Sequence, residues 1–147
     1  MIVSQEECEF CEIAQGRQAA EVIYRSRSTL AFFPLSPATP GHTLLIPVEH
    51  FEDFFALRPE IAQELTHAAL LVAKALRGAL EPAGMNIITS AGQAATQSVF
   101  HLHIHLVPRW LGDRMGSIWP PPGQRVEDQT ERRQLAERIK DMLPGKL

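Results

Sequence analysis

Residues 101–107 read His-Leu-His-Ile-His-Leu-Val, so three of the chain's six histidines alternate with aliphatic residues. In an extended strand, side chains alternate between faces, which places His101, His103 and His105 on one face and Leu102, Ile104 and Leu106 on the other. One buried sheet face accounts for the aliphatics. A solvated face would carry Thr, Lys or Glu rather than three imidazoles. Imidazole accepts, donates and attacks near neutral pH. The strip therefore predicts a nucleophilic site, a metal site, or both.

For nucleophilic work the target is phosphorus. Imidazole attacks phosphorus and leaves it again, which divides phosphoryl or nucleotidyl transfer into two steps. The attacking nitrogen must be unprotonated, and the other nitrogen must be held by an acceptor. Neighbouring donors must hold the charge that develops on the phosphate. Three imidazoles on one face supply a central nucleophile with a neighbour on each side. Backbone N–H groups of the small-residue loop from Gly92 to Ser98 add possible donors. That loop matches neither a Walker A loop nor a dinucleotide fingerprint.

For a metal, the only two cysteines, Cys8 and Cys11, form a Cys-x-x-Cys pair. In a reducing compartment that spacing points to metal or redox chemistry before a structural disulfide. Thioredoxin-type chemistry needs a long helix after the motif, whereas Cys11 runs into Glu12-Ile13-Ala14-Gln15-Gly16, read as a short turn. Zinc takes four Cys or His ligands. All three triad histidines added to two thiolates would overfill the site, so one triad histidine and one more from elsewhere fit. His42, His50 and His67 are the others available. His50 follows a strand end at Ile46-Pro47, and His67 is read as a mid-helix packing or solvent residue.

The elements that must position these groups follow from pattern. Residues 21–25 and 29–33 read as two short strands around a turn at 26–28, and 43–47 as an apolar strand ended by Pro47. The proline-rich stretch 34–41 is a rigid loop. A helix starts near Arg58 with Pro59 in its first turn, carries Ile61, Leu65, Ala68, Ala69, Val72, Leu76 and Leu80 at helical spacing, and stops at Pro82-Ala83-Gly84. Residues 85–90 form a further strand, and Pro108 ends the histidine strand. Trp110 and Trp119 are read as packing against the domain. Residues 127–143 form a charged helix with Leu135, Ile139, Met142 and Leu143 on one side. The expected class is α+β, an antiparallel sheet of about five strands with one long central helix and a C-terminal helix. A single domain over 1–147 is expected, with a core at about 8–109 and an extension from 110.

Composition bounds the partners. The 147 residues are 45% hydrophobic and 21% charged, an ordinary globular balance with net charge −3. No basic run offers a footprint for nucleic acid. No apolar stretch has the length of a membrane span, and the acidic start lacks the pattern of a signal peptide. A cytoplasmic protein with no nucleic-acid or membrane partner is expected.

With these residues in view, His101-x-His103-x-His105 followed by Leu106-Val107 resembles the signature of the histidine triad (HIT) family. Pro40-Gly41-His42-Thr43-Leu44-Leu45-Ile46-Pro47 with His50 resembles its loop and strand. Gln97-Ser98-Val99 stands before the triad as in the family, and Cys8-x-x-Cys11 is similar to the motif of its zinc-containing members. The resemblance implies a homodimeric α+β nucleotide hydrolase or transferase that attacks the α-phosphorus of a nucleoside phosphate ester, anhydride or phosphoramidate. It implies His103 as nucleophile, with His105 and His42 supporting the site and Gln97 and Ser98 contacting phosphate or leaving group. It implies structural zinc on Cys8, Cys11, His50 and His101.

The chain departs from that pattern at two positions. Pro34 stands where many members carry an acidic or amide residue for ribose, and proline has no side-chain hydrogen-bonding group. Ser90 stands where Asn is frequent, and its hydroxyl is expected to reach phosphate. Phe32 is expected to help form an apolar slot for a base. Arg109 is read either as a neutraliser of distal phosphates or as a surface residue. The segment around Arg109 is similar to dinucleoside polyphosphate hydrolases, and Trp119-Pro120-Pro121-Pro122 to phosphoramidases. Two other classes stay open: a nucleotide-binding regulatory module with little turnover, and an interaction protein whose triad serves metal alone.

Overall fold

The structure is a computed structural model that describes residues 8–124 and 131–145. Within these, a short helix α1 (Glu9–Ala14) precedes strands β1 (Val22–Arg25), β2 (Thr29–Phe32) and β3 (Thr43–Pro47). The long helix α2 (Pro59–Leu80) leads to β4 (Gly84–Thr89), then β5 (Ile104–Arg109) and finally α3 (Arg132–Met142). The strands form one antiparallel sheet in the order β1-β2-β3-β5-β4. The chain divides after Gly116 into two compact units.

Helix α2 forms where its period predicts. Pro59 opens it, with its missing N–H at a position that has no helical partner. Glu81 closes it in the left-handed conformation (φ 46°) just before Pro82. Its buried residues Leu65, Ala68, Ala69, Val72 and Leu76 pack on Ala31, Leu45 and Leu106 of the sheet and on Leu102 just before β5. The aliphatic members of the triad segment thus face α2.

The opposite face of the sheet is also buried, which corrects the expectation of one covered face. Cys8, Phe10, Cys11, Ile13 and Ala14 pack against Leu30, Phe32, Leu44 and Ile46. Helix α1 therefore replaces the expected turn after Cys11. Strands β2 and β3 are buried at every position, the continuous apolar reading of a strand covered on both sides.

The histidine segment differs from the expected continuous strand. The β3–β5 ladder runs from Thr43 opposite Leu106 to Leu45 opposite Ile104 and stops there. Beyond it, Pro47 has no N–H to give, and its carbonyl accepts from the His101 ring at 2.9 Å. Leu102 N–H donates instead to Phe51 O at 2.6 Å. His101 and His103 therefore lie on an extended lead-in, and only His105 is in the ladder. At the other end, Pro108 does not stop the strand. Its carbonyl accepts from the Thr39 hydroxyl at 2.7 Å. In a strand a residue's N and C=O point the same way, so the missing donor faces a side where β3 pairing has already ended.

In the second unit, α3 is exposed along its length, including Leu135, Ile139 and Met142, and Leu143 after it is exposed too. Trp119 is 73% exposed, against the expected packing, whereas Trp110 is half-buried. Residues 127–130 of the predicted C-terminal helix lie outside the described residues.

Candidate active site and metal centre

Cys8 caps α1 and Cys11 lies one turn on, so i, i+3 spacing sets both thiols on one side. Both are buried and unlinked. The ring of His101, fully buried, lies between them, with Nδ1 3.4 Å from Cys8 Sγ and 3.5 Å from Cys11 Sγ. His50 Nδ1 is 3.4 Å from Cys11 Sγ. All four donor atoms lie within 4.8 Å of one another.

The spacing fits a tetrahedral ion. Zinc–sulfur bonds of about 2.3 Å and zinc–nitrogen bonds of about 2.05 Å at a tetrahedral angle give S···N edges of about 3.6 Å. The tautomer fits as well. His101 Nε2 donates to Pro47 O, so Nδ1 presents a lone pair to the thiols, and the carbonyl fixes both tautomer and ring orientation, as the outer hydrogen bond of a metal-binding histidine does. Burial, followed by the neighbouring Cys8, pushes the Cys11 thiol up to about 12. A divalent cation is the charge that lets such a pair ionise. Cys8, Cys11, His50 and His101 form a centre suited to a metal ion. His67 is exposed on α2.

Next to this centre lies a histidine pair and its partner. His103 Nδ1 donates to His101 O at 2.7 Å, which leaves Nε2 with its lone pair. Burial lowers the pKa of His103, so the neutral form is favoured. Ala38 N–H donates to His42 Nδ1 at 3.0 Å, so the proton of neutral His42 is on Nε2. That nitrogen lies 2.9 Å from His105 Nδ1 and donates to it, which leaves the His105 proton on Nε2. Burial, then His103 and His42, hold His105 down at about 4. Burial and then His103 lower His42 also. The result is one lone pair, on His103, beside one donor, on His105, with ring centroids 4.9 Å apart.

Local backbone explains the placement of His42. Gly41 has φ +78°, and a Cβ there would run into the side chain of Leu80. Only glycine turns the proline-rich loop into β3 so close to α2. Thr89, not singled out in the sequence, donates its hydroxyl to His103 O at 2.9 Å from the end of β4. A threonine next to Ser90 at a strand end was the signal available.

Other nominated residues are placed differently. Gln97 is buried, and its amide is fully engaged: Oε1 accepts from Gly92 N at 2.7 Å, while Nε2 donates to Glu52 O at 2.7 Å and Val99 O at 3.1 Å. It braces the loop through these three bonds. Arg109 is likewise held. It donates to Asp113 through Nε and one terminal nitrogen, to Gly116 O through that same nitrogen and to Asn86 Oδ1 through the other. All three of its guanidinium nitrogens are engaged, more than a plain surface residue would show. Ser98 is exposed and Ser90 half-buried, each without a side-chain hydrogen bond among the described residues.

Phe32 is buried with its ring 5.5 Å from that of Phe10. Both line a cavity of about 480 Å³ together with Ile13, Pro34, Leu35 and Leu44. Phe10 also meets the His103 ring at 5.3 Å, and Leu44 lies opposite His105 in the sheet. A largely apolar slot, lined also by Glu9, Gln18 and Glu21, therefore lies beside His103 across Phe10, with Pro34 in its wall.

The family model described as HIT domain matches residues 15–110. The chain belongs to the HIT family. Protein hit of Bacillus subtilis is 40% identical over 115 residues, covering 78% of this chain and 79% of that protein. The crystal structure of a HIT family protein from Bacillus anthracis superposes with a TM-score of 0.85 at 34% identity, covering 95% of this chain and 99% of the other. A zinc-bound histidine triad family protein from Mycobacterium smegmatis has a TM-score of 0.72 at 34% identity, covering 94% and 99%. The HIT span contains His42, His50 and the triad and begins after both cysteines.

Proposed function

We propose that this HIT protein is a nucleotide hydrolase or nucleotidyl transferase that acts through a covalent nucleotidyl-His103 intermediate. The observation that carries the reading is the 2.7 Å bond from His103 Nδ1 to His101 O, which reserves the Nε2 lone pair for attack. That lone pair forms the N–P bond to the α-phosphorus as the bond to the leaving group breaks. The leaving group departs with the electron pair and takes a proton from solvent. His103 keeps its Nδ1 proton, and the His101 carbonyl shares the positive charge of the ring. Water then adds to phosphorus, loses a proton, and restores neutral His103 and a nucleoside monophosphate.

His105 supports the reaction as a donor. Its Nε2–H, fixed by His42, is available to a phosphoryl oxygen as charge develops. The nucleoside part occupies the slot walled by Phe10, Ile13, Phe32, Pro34, Leu35 and Leu44. Ser98 and Ser90 remain the hydroxyl candidates for phosphate. Dinucleoside polyphosphates and adenosine phosphoramidates are the substrate classes to test.

Zinc is the ion proposed for Cys8, Cys11, His50 and His101, which offer four donors within reach of one ion, and the M. smegmatis relative is described as zinc-bound. When bound it supplies structural cross-linking of α1 to the sheet. A homodimer is also proposed, through the open edge of β4. Ile87 (59% exposed) and Leu70 of α2 (53% exposed) line an apolar strip beside that edge. No described helix is long and apolar enough to cross a membrane, and a cytoplasmic location remains part of the proposal.

The test is intact-protein mass after a rapid quench without acid, using each substrate class in turn. A gain of one nucleotidyl group, absent in His103→Ala, supports the reading. Tight nucleotide binding without adduct or product would instead favour a regulatory binding module.

A further inference from the structure

Helix α1 has six residues, too few to be stable alone, and Cys8 gives it no side-chain cap. It stays in place because Cys8 and Cys11 meet His101 and His50, and because its apolar residues pack on β2 and β3. Between the two cysteines stands Phe10. Its ring lies edge-on to three others: His103 at 5.3 Å and 86°, His101 at 5.9 Å and 67°, and Phe32 at 5.5 Å and 74°.

Among the described residues the ring of His103 has a single hydrogen bond, from Nδ1 to the carbonyl of the residue two before it. One bond leaves an imidazole free to pivot about it. Two rings lie against it, Phe10 and His105, and both meet it at steep angles. Phe10 is thus both a wall of the slot and a stop against rotation of His103.

We propose that Phe10 is a positioning residue for His103, and that the Cys8–Cys11–His50–His101 centre, by fastening α1, holds Phe10 in that place. This rests on the reading of His103 as nucleophile. It adds a chain of contact from the metal donors to the attacking nitrogen by two routes. One runs through α1 to Phe10. The other runs through the His101 residue, whose ring faces the thiols while its carbonyl receives the His103 proton. Misplacing a reacting atom by about 1 Å can cost about a hundredfold in rate, and a smaller shift less, so loss of the stop should act on the chemical step.

The experiment uses full-length protein prepared with zinc supplied, wild type against Phe10→Ala, Phe10→Leu and Cys8→Ser. Metal per chain, the ¹⁵N signals of the His103 ring, and the rate of nucleotidyl-protein formation are read on each. For Phe10→Ala the expected result is unchanged metal content, a His103 ring that averages between tautomers, and adduct formation slowed about tenfold. Phe10→Leu, which keeps the bulk that α1 needs but not the flat edge, should retain metal and show a smaller change in both signals and rate. Cys8→Ser should move the His103 signals in the same direction with Phe10 present. Unchanged His103 signals and rate in both metal-bound Phe10 variants would overturn the positioning role. Unchanged signals in Cys8→Ser would overturn the link to the metal donors. If wild type forms no adduct while the Phe10 variants still shift the His103 signals, the positioning stands and the nucleophile assignment fails.

Discussion

His42 Nε2 lies 2.9 Å from His105 Nδ1, and the backbone N–H of Ala38 occupies the other nitrogen of His42. A main-chain donor in the proline-rich loop therefore decides which nitrogen of a strand histidine carries a proton. Neither residue is near the other in sequence. The relay is read from the rule that a neutral imidazole has one donor and one acceptor.

Replacing His42 should release that choice. In His42→Phe the His105 ring loses its donor partner and populates both tautomers, so the Nε2–H offered to phosphate is present only part of the time. Loss of one preorganised donor costs about a hundredfold in kcat. The expected outcome is a fall of that order in kcat with a smaller change in KM, measured by steady-state kinetics on whichever substrate forms the adduct. An unchanged kcat would remove the relay from the mechanism.

The same burial makes stability depend on pH. An unfolded histidine titrates near 6.5, whereas folded His105 is held at about 4 and His42 is lowered too. Between about pH 6.5 and pH 4 the unfolded chain binds more protons than the folded one, so stability falls as pH falls through that window and is fully present above it. Urea unfolding at a series of pH values should show this loss. A His42→Gln, His105→Gln variant should show a shallower slope. An equal slope would mean that other groups, metal ligands among them, carry the dependence.

The metal centre should carry part of the fold's stability. Cys8→Ser removes one donor of the four and leaves buried His101 beside a single thiol. Since a structural ion binds the folded chain alone, removing it costs several kcal/mol. The expected outcome is metal below one per chain by elemental analysis and a melting temperature lower by about 10 °C or more. A metal-free wild type of equal stability would withdraw the zinc proposal.

Much of this was legible in the sequence, for identifiable reasons. Helix α2 shows a clear 3.6-residue period and β3 a short apolar run, and both formed at the expected bounds within a residue or so. The triad and Cys-x-x-Cys are local motifs, and chemistry restricts which residues such motifs can contain. What was not legible depends on distant partners. The helix over Glu9–Ala14 is too short for a period to declare itself, and it is held by His50 and His101 from far along the chain. The lead-in at His101–His103 leaves the ladder because Pro47 has no N–H opposite it. The bracing of the loop by Gln97 is equally non-local, since the carbonyl its amide meets, Glu52 O, is 45 residues away.

Arg109 provides the last check, because its partner was visible. Asp113 lies four residues on, and its carboxylate accepts from Arg109 Nε at 2.6 Å, from Trp110 N at 3.0 Å and from Met115 N at 3.1 Å. The guanidinium beside it holds the Asp113 carboxyl well below the usual carboxylate range. An arginine so engaged ties the turn after β5 to Asn86 of β4 and leaves little to offer a phosphate. Arg109→Ala should therefore lower the melting temperature while leaving kcat and KM within about twofold of wild type, since only interactions made with the substrate change these parameters and the Arg109 donors are spent within the protein. The check is a thermal melt beside kinetics on mono- and polyphosphate substrates. A rise in KM confined to the polyphosphate would show that Arg109 leaves Asp113 to meet a distal phosphate.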